Sequence, residues 1–431
     1  MPFPLEDVRI LDLTRLGYGA QATSILGALG AEVIRVESKT RPDPVRMIPP
    51  HLPLPGAPRE EGQLSAAMVA AKGFNRGGIF HKYNFGGKRS VTLNLKHPRG
   101  IEILKRLIAK SDVLAESFSA GALARMGLGY DQLKAIRPDM IYVSMSGFGH
   151  TGRDSRHVTL GPTAQALTGL TSMVGLPGRR PAGWSFSYLD HMGGYLGALG
   201  TLAALRHRRR TGEGQHVDVS QIEPGIPLTG AAVLDRAVNG RSYRRPEKPE
   251  SNRSTAPPAA PHGVYRCLVE DAWLTISVTN QRQWKALCRV MGDPPWTESA
   301  DFATLEARLA NQDRLDREIE SWTRTGERYR LMNALLEAGV PAGVVQNARD
   351  RVERDRQLHA RGYFSKLPNS ETREWFAEEL PFRMTRTPPA VGGRIGRGAP
   401  SIGEDNLDVY ARLLGLGQAE ILRGEDEGLF Q

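Results

Sequence analysis

The chain has 431 residues, of which 40% are hydrophobic and 24% charged, a composition that is typical of folded globular proteins and favours two domains over one. Its longest apolar run, around residues 196–205, is shorter than the roughly 20 residues that a membrane-spanning helix needs, and its two cysteines exclude a disulfide framework. The net charge of +10 attracts anions. The basic residues are scattered and match no nucleic-acid-binding motif, so the charge is better explained by a phosphate-bearing small molecule or by a plain solvated surface.

The start of the chain predicts a βαβ unit. Residues 8–14 (VRILDLT) are typical of a buried strand, residues 20–29 have helical spacing closed by Gly30, and residues 32–37 (EVIRVE) predict a second strand. Parallel strands are joined through such a helix, so we expect a Rossmann-like α/β domain with a parallel sheet, although the chain has no GxGxxG motif.

Further elements continue this pattern. Residues 38–82 are rich in Pro and Gly and predict a long loop, which either covers an active site or forms a surface insertion. After it, strands are predicted at residues 88–96, 112–115 and 141–145, and an amphipathic helix is predicted at residues 98–110. The Gly-rich loop at residues 147–152 (GFGHTG) is of a kind that exposes backbone amides.

The most informative segment is residues 184–220, WSFSYLDHMGGYLGALGTLAALRHRRRTGEGQHVDVS. Apolar residues recur at three- and four-residue steps and predict a helix whose apolar face packs against the core: Met192, Tyr195, Leu196, Leu199, Leu202 and Leu205. Basic residues at 206–210 and Gly212 mark the end of this helix, and residues 215–220 predict a strand.

Asp190 stands just before this helix. The simplest role for an Asp at that position is an N-cap, which accepts a hydrogen bond from the first free amides. The pair Gly193 and Gly194 permits close approach of another backbone or a ligand. A carboxylate placed there can also act as a nucleophile toward an activated acyl or phosphoryl group.

The run LGALGTLAALRHRRRTGEGQHVDVS resembles the signature of the family III CoA-transferases, the CaiB/BaiF superfamily that includes formyl-CoA transferase. In that signature an Asp precedes a helix that ends in LAAL, followed by an Arg and TGxGQxVxxS. The matching positions are residues 202–205, Arg208, Thr211, Gly212, Gly214, Gln215, Val217 and Ser220. By this resemblance, which extends nearly from end to end, Asp190 is the nucleophile that accepts the acyl group. The signature is specific for the superfamily and not for the substrate.

The resemblance also implies a set of CoA-contacting residues. Residues 116–129 (ESFSAGALARMGLG) are similar to the family's ENFRPGxxxRxGLG segment, with Ser117 and Ser119 in place of the usual Asn and Arg. The positions that carry over are Leu16, Leu93, Lys96, Phe118, Ala122, Arg125 and Met126. Basic side chains neutralise phosphates, and Phe or Met can line the adenine or the pantetheine arm, whereas the plainer alternative is a surface Arg and a core Phe. Gly17 stands where family members often have a polar side chain.

An α-methylacyl-CoA racemase is the nearest alternative, because it shares the fold and uses the matching Asp in a His and Asp acid/base pair. Counting from the Gly-rich loop, the racemase His falls on Leu160, while His157 is three residues away. His191 is next to Asp190 but is expected to point elsewhere. Racemisation needs two groups that flank a carbon acid, so the sequence favours the transferase. A non-catalytic CoA- or polyanion-binding protein is a third possibility.

The implied reaction moves CoA from an acyl-CoA donor to a carboxylic acid acceptor. It passes through an acyl-aspartyl anhydride and an aspartyl-CoA thioester at Asp190, so CoA is a substrate and no metal or redox cofactor is expected. The aromatic residues Trp184, Phe186 and Tyr188 near the nucleophile indicate either a bulky acyl group or a simple cavity wall.

The domain organisation is predicted in four parts. Residues 1–220 form the large CoA-binding domain, 221–260 a linker, 261–345 a small α+β domain, and 346–431 a second linker and a return to the large domain. The resemblance implies an interlocked homodimer. The first residues show no signal-peptide pattern, so we expect a cytoplasmic protein that binds an acyl-CoA and a small carboxylic acid, and neither nucleic acid nor membrane.

Overall fold

The computed structural model describes residues 3–48, 78–175, 179–183, 186–243, 252–369 and 373–431. The chain divides into two compact units. The large unit consists of Met1–Thr171, Gly183–Gly230 and Gln357–Gln431, and the small unit of Ser172–Ala182 and Ala231–Arg356. Among the described residues, no helix combines the length and the apolar character that crossing a membrane would require.

A six-stranded parallel sheet forms the centre of the large unit, as the βαβ pattern predicts. Its strands are β1 (Arg9–Leu13), β2 (Glu32–Glu37), β3 (Arg89–Thr92), β4 (Val113–Glu116), β5 (Ile141–Ser146) and β6 (His216–Ser220). They lie in the order β3-β2-β1-β4-β5-β6, and each neighbouring pair is parallel. Because the order reverses between β1 and β4, a crevice opens beyond the carboxyl ends of these two strands, which is where doubly wound sheets bind ligands.

Helices cover both faces of this sheet. Successive residues of a strand point to opposite faces, so neighbouring residues belong to different cores. On β1, Ile10 belongs to the core that includes side chains of the helices Tyr18–Ala28 and Tyr188–Thr211. Its neighbour Leu11 belongs to the opposite core, with the helix Gly100–Ala109. Other helices of this unit are Gly78–Tyr83, Ala122–Arg125, Tyr130–Ile136, Gly161–Leu167, Gly225–Leu228, Asn406–Leu414 and Gln418–Asp426.

The helix Tyr188–Thr211, called the Asp190 helix below, is buried through its small residues. Its buried positions are Leu189, Gly193, Gly194, Gly197, Ala198, Thr201, Ala204 and Leu205. A Cβ added to Gly193 would lie 2.8 Å from the Tyr18 ring, so the glycines let the Tyr18–Ala28 helix approach closely. The predicted large apolar face is therefore wrong in part, because Tyr195, Leu196 and Leu199 are exposed in the single chain.

The small unit is an α+β structure, as predicted. Its antiparallel sheet has the order β11-β10-β9, and a short hairpin, β7-β8, precedes it. The strands are β7 (Ser254–Thr255), β8 (Pro258–Ala259), β9 (His262–Arg266), β10 (Trp273–Ser277) and β11 (Ala342–Val344). Its helices are Gln281–Val290, Ala300–Ala303, Leu305–Ala310, Gln312–Thr323, Arg328–Glu337 and Ala348–Glu353. The core contains Trp284, Phe302 and Leu315, among others.

Two further helices and one hairpin occur in the described chain. The helices Gly230–Asn239 and Arg356–Ala360 contain two of the four points at which the sequence passes between the units. The strands β12 (Phe364–Asn369) and β13 (Arg373–Glu378) form an antiparallel hairpin in the large unit, which the sequence pattern does not predict.

Candidate active site

A cavity of about 490 Å³ lies at the crevice beyond the carboxyl ends of the parallel strands. Segments that follow four of the strands line it: residues 15–18 after β1, residues 117–119 after β4, Gly147 after β5 and Gln221 after β6. Asp190 also lines this cavity, which is called the Asp190 cavity below. The sheet topology therefore brings the candidate nucleophile to the position where a doubly wound fold binds its ligand.

Asp190 lies in the first turn of its helix and not just before it. The helix begins at Tyr188, and Ser187 occupies the N-cap position without making a side-chain capping bond. The Asp190 carboxylate instead accepts hydrogen bonds from the Gln221 Nε2 amide and the Ser187 side chain. The sequence-based alternative of a simple N-cap role is thus not what the geometry shows.

Gln221 orients the carboxylate and is itself held at both ends. Its backbone amide donates to Ser146 at 3.0 Å, and Thr159 Oγ1 donates to its side-chain oxygen at 3.1 Å. Gln221 lies outside the family signature and is not among the residues predicted from the sequence. The available signal was its position directly after the predicted strand at residues 215–220, where the carboxyl ends of parallel strands meet.

The electrostatic environment of Asp190 sets its ionisation near neutral pH. Burial raises the pKa of Asp190 to about 6, while hydrogen bonds from Ser187 and Gln221 and the charge of Lys82 oppose this rise. At pH 7 the carboxylate is therefore mostly ionised but weakly solvated, which suits a nucleophile. Burial and the charge of Asp190 raise the pKa of Tyr83 well above its ordinary value, so this phenol stays protonated.

The start of a second helix also abuts the carboxylate. Gly17 precedes the helix Tyr18–Ala28, and a Cβ placed on Gly17 would lie 2.7 Å from Asp190 Oδ2. The first amides of a helix have no partner within the helix and carry its positive end. A site of this kind can stabilise negative charge that develops on oxygen.

Leu16 is held in an unusual backbone conformation beside this helix start. Its φ is 63°, and its amide donates to the Asp43 carboxylate at 3.0 Å. Asp43 is buried and is paired with the buried Arg35 at 2.5 Å. The buried ion pair therefore fixes the turn that carries Leu16 and Gly17 along the cavity wall.

Most of the residues implied by the resemblance line two adjoining cavities. A second cavity of about 400 Å³ shares Arg15 and Phe118 with the Asp190 cavity. It is also lined by Leu93, Lys96 and Met126, whereas Leu16 lines the Asp190 cavity. Ala122 and Arg125 lie on the short helix Ala122–Arg125 and line neither cavity.

Phe118, which lies between the two cavities, is fixed through its backbone. Its amide donates to Glu116 Oε2 at 2.5 Å, and the hydroxyl of Tyr142 donates to the other carboxylate oxygen at 2.7 Å. Burial raises the pKa of Glu116 to about 7. The end of β4 thus anchors the segment that separates the two cavities.

The positions considered for a racemase lie in the same cavity. Leu160 and His157 both line it, and so does His191, which the sequence analysis expected to point elsewhere. The His191 ring packs against Tyr83, with ring centroids 5.7 Å apart. Burial, with a smaller contribution from the charge of Lys82, lowers the pKa of His191 to about 4, so its imidazole is neutral at pH 7.

The two ends of the predicted loop at residues 38–82 reach the Asp190 cavity. Val45, Ile48, Ile79 and Lys82 line it, while the central part of that loop lies outside the described residues. Lys82 is exposed, and within the described part of the chain no carboxylate pairs with it.

One of the predicted aromatic residues, Phe186, forms part of the wall of the Asp190 cavity. Phe186 lines the cavity and makes an edge contact with Tyr188, with ring centroids 6.3 Å apart, while Trp184 lies outside the described residues. Across the described ranges, no three His, Cys, Asp or Glu side chains are grouped in a way that could hold a metal ion.

Comparisons with known proteins find relatives along nearly the whole chain. The sequence profile of CoA-transferase family III matches residues 5–406. The succinyl-CoA–D-citramalate CoA-transferase of Chloroflexus aurantiacus is 29% identical over 97% of this chain and 96% of its own. The succinyl-CoA:mesaconate CoA-transferase of Haloarcula hispanica is 32% identical, covering 94% and 95%. The crystal structure of a CaiB/BaiF family protein from Brucella suis superposes with a TM-score of 0.81 at 30% identity, over 96% of this chain and 100% of that one.

Proposed function

The chain belongs to CoA-transferase family III, and from its site we propose that it moves CoA from an acyl-CoA donor to a carboxylic acid acceptor with Asp190 as the nucleophile. One observation carries the assignment of the nucleophile. Asp190 is a mostly ionised carboxylate in a cavity that shares Arg15 and Phe118 with a second cavity, and five of the seven residues that resemble CoA contacts line one or both.

The first half of the proposed reaction loads CoA onto the enzyme. An Asp190 oxygen attacks the thioester carbonyl carbon, the carbon–sulfur bond breaks, and CoA leaves as the thiolate. The product is an acyl-aspartyl anhydride. The thiolate then attacks the aspartyl carbonyl of the anhydride, and the donor acid leaves as a carboxylate. The enzyme is left as an aspartyl-CoA thioester.

The second half repeats these steps in reverse with the acceptor. The acceptor carboxylate attacks the aspartyl carbonyl and expels the CoA thiolate, which forms a mixed anhydride. The thiolate attacks the acceptor carbonyl, so that the new acyl-CoA forms and the Asp190 carboxylate is restored. Charge and atoms balance at each step, and these steps use no metal or redox cofactor.

The neighbours of Asp190 have separate roles in this scheme. The Gln221 amide donates to Asp190 Oδ1, which leaves Oδ2 as the oxygen that attacks. The free amides at the start of the Tyr18–Ala28 helix stabilise the oxyanion that forms in each tetrahedral intermediate. Closure of the cavity around the reacting groups excludes water, which would otherwise hydrolyse the anhydride.

CoA is proposed to lie across both cavities. Its thioester end reaches Asp190, and its pantetheine arm passes Leu16 and Phe118 into the second cavity. The exposed ammonium of Lys96 is placed to neutralise a phosphate there, with Leu93 and Met126 as apolar contacts. Ala122 and Arg125 contact the outer part of the nucleotide from their short helix.

The racemase alternative is not favoured by the site. The position of its catalytic His is taken by Leu160, and His191 has an unusually low pKa of about 4. The relatives compared above have names that describe CoA transfer between succinyl-CoA and another acid. We therefore propose a small carboxylic acid as the acceptor.

We also propose that the enzyme is a homodimer. On the Asp190 helix, Leu199 is 60% exposed next to Tyr195 and Leu196. The helix Gly230–Asn239 has an apolar sequence but no buried residue, and its Leu234 is 63% exposed. Apolar helix surfaces of this kind are usually covered by a partner, and a second copy of the chain supplies one.

The Asp190→Asn variant tests the proposed nucleophile. We expect it to lose CoA transfer, because an amide oxygen does not attack a thioester, and to keep its fold and CoA binding. Mass spectrometry of the native protein after incubation with a panel of acyl-CoAs and hydroxylamine should detect a hydroxamate at Asp190, which also identifies the donor.

A matched control is Asp131→Asn, because Asp131 also lies in the first turn of a helix but is exposed and outside the cavity. This control should transfer CoA at the native rate. Turnover by the Asp190→Asn variant, or a hydroxamate that maps to another residue, would contradict the assignment.

A further inference from the structure

Tyr83 places in the Asp190 cavity a hydroxyl group that the reaction steps above do not use. This tyrosine is the last residue of the helix Gly78–Tyr83 and lines the cavity, although only 7% of its surface is exposed. Burial and the charge of Asp190 raise its pKa, so the phenol is a hydrogen-bond donor at neutral pH. Within the described chain, no hydrogen bond involves this hydroxyl. It is therefore a donor that lacks an acceptor, and a substrate oxygen can supply one.

Gly17 leaves the space that brings this phenol close to the proposed nucleophile. A Cβ added to Gly17 would lie 3.3 Å from Tyr83 Cζ and 2.7 Å from Asp190 Oδ2. The carbon that bears the hydroxyl and the oxygen that attacks therefore flank the same small space. The Asp190 carboxylate is held by Ser187 and Gln221 and not by Tyr83. The phenol is thus near the reacting oxygen without being occupied in orienting it.

The backbone around Tyr83 is anchored on both sides. Ser24 lies on the helix whose start adjoins the nucleophile, and its hydroxyl donates to the Tyr83 carbonyl at 2.8 Å. The next residue, Asn84, accepts hydrogen bonds from the buried side chains of Lys88 at 3.0 Å and Arg35 at 3.2 Å. A donor that is fixed in this way needs little reorganisation when negative charge forms beside it.

We propose that the Tyr83 hydroxyl donates a hydrogen bond to the oxyanion that forms on the substrate carbonyl when Asp190 attacks. This inference rests on the proposed CoA transfer and assigns it a second catalytic residue. When Asp190 Oδ2 bonds to the carbonyl carbon, an electron pair of the carbonyl bond moves to its oxygen, which then lies two bonds from Oδ2 and within reach of the phenol. The phenol keeps its proton. The carbonyl re-forms as the carbon–sulfur bond breaks and CoA leaves as the thiolate.

Tyr83 and Gln221 then serve different oxyanions. Gln221 donates to Asp190 Oδ1, which carries the charge when a nucleophile attacks the aspartyl carbonyl. Tyr83 serves the oxyanion on the acyl carbon, which forms in the first step and again in the last step, when the thiolate attacks the acceptor carbonyl. With the helix amides, the phenol supplies the several donors that sites for developing oxyanions use.

The Tyr83→Phe variant tests the proposal, because it removes the hydroxyl and keeps the ring. Exchange of a labelled acid into its own acyl-CoA is measured with acetyl-, butyryl-, succinyl- and phenylacetyl-CoA, and the pair that the native enzyme exchanges fastest is used for the variants. We expect kcat to fall roughly 100- to 1000-fold, as for loss of one oxyanion donor, with little change in KM or melting temperature. The midpoint of kcat/KM against pH should stay at about 6, since the phenol does not bond to the carboxylate.

Tyr329→Phe is the matched control, because Tyr329 lies in the small unit and lines neither the Asp190 cavity nor the second cavity. This variant should keep the native kcat. A native kcat in Tyr83→Phe overturns the proposal. A loss of activity that comes only from a higher KM or a shifted pH midpoint also overturns it, because either result indicates that the hydroxyl only supports the shape of the site.

Trapping with excess hydroxylamine separates this proposal from the proposed function. Tyr83→Phe should still yield the hydroxamate at Asp190, but more slowly than the native protein, whereas Asp190→Asn should yield none. A hydroxamate that forms in Tyr83→Phe at the native rate overturns the role of Tyr83 and leaves Asp190 as the nucleophile. Transfer by Asp190→Asn, or a native protein that forms no adduct with any of the four acyl-CoAs, overturns the proposed function and the Tyr83 assignment with it.

Discussion

Asp190 is held in an environment that a purely structural carboxylate would not have. Its partners are an amide and a hydroxyl, not a cation in direct contact, and burial raises its pKa to about 6. Compare Asp43, whose carboxylate is neutralised by Arg35 at 2.5 Å. The first arrangement leaves a carboxylate oxygen weakly solvated and accessible from the cavity, whereas the second fixes a turn.

The raised pKa of Asp190 predicts the pH dependence of transfer. Because the attacking form is the carboxylate, kcat/KM for the acyl-CoA should rise with pH through about 6 and level off above pH 7. Lys82→Gln removes a positive charge that lowers this pKa, so the midpoint should move to higher pH. The measurement is kcat/KM against pH for both proteins, and a profile that is flat between pH 5 and 7 would contradict the prediction.

Sequence alone could nominate Asp190 but not its partners. The family signature runs along one helix and the strand that follows it, so the motif is continuous in sequence. Gln221 directly follows that strand but lies outside the signature, whereas Tyr83 and Lys82 come to the cavity from a distant segment of the chain. Only the fold shows that these segments meet.

Two closely packed helices position the carboxylate. Gly193 and Gly194 bring the Asp190 helix against the Tyr18–Ala28 helix, whose first turn then lies at Asp190 Oδ2. Sequence periodicity predicted the existence of the Asp190 helix correctly, but only part of its buried face, since Leu205 is buried and Leu199 is exposed. Hydrophobicity favours large residues in a core, but here the close approach of two backbones buries glycine and alanine instead.

The absence of a side chain at Gly17 yields a second prediction. Gly17→Ala places a methyl group 2.7 Å from Asp190 Oδ2 and should displace the carboxylate from its attacking position. The φ of Gly17 is −83°, which is outside the left-handed region that favours glycine, so the main change is the added methyl group. We expect kcat to fall on the order of 10- to 100-fold with little change in the melting temperature.

Gly417→Ala is the control for this experiment. Gly417 also precedes a helix, and an added Cβ would have nothing within 4 Å among the described residues. Its variant should be as active as the native enzyme. A Gly17→Ala enzyme with native kcat would show that the carboxylate tolerates the methyl group.

The hairpin β12–β13 shows another limit of sequence-based prediction. Its first strand contains Pro368 and its residues alternate poorly, so no strand pattern stands out. Pro368 nevertheless pairs with Glu374 in the register of the hairpin. By contrast, β1 and β2 place branched apolar residues on both faces of the sheet, as Ile10 and Leu11 do on β1, and this is the pattern expected of buried parallel strands.

The single chain leaves apolar surface that a folded monomer would not normally expose. The surface of the Asp190 helix around Leu199 and the surface of the helix Gly230–Asn239 around Leu234 belong to different units, and each is exposed in the part of the chain that the structure describes. The proposed homodimer would cover both. It also explains why large residues occur on the outer side of the Asp190 helix.

Substitution on the helix Gly230–Asn239 tests the dimer. Leu234→Glu should convert a native protein of twice the chain mass to the mass of one chain, because a charge buried in an apolar interface is costly. Light scattering after size exclusion measures the mass. Leu336→Glu, at an exposed leucine of the helix Arg328–Glu337, is the control and should keep the native mass. A native protein that is monomeric at micromolar concentration would contradict the proposal.

The residues that line the Asp190 cavity are of two kinds, those close to the Asp190 carboxylate and those at the exposed outer end. This difference determines which positions can change when a new activity arises. Ser187 and Gln221 hydrogen-bond to the proposed nucleophile, and Gly17 leaves space for it, so changes at these positions are expected to disturb the chemistry. Val158 and Leu160 are largely solvent-exposed, with 82% and 60% of their surface accessible, and contribute little to the core. Directed evolution that randomises these outer positions can therefore explore new acids at almost no cost in foldability, while the covalent chemistry is inherited intact.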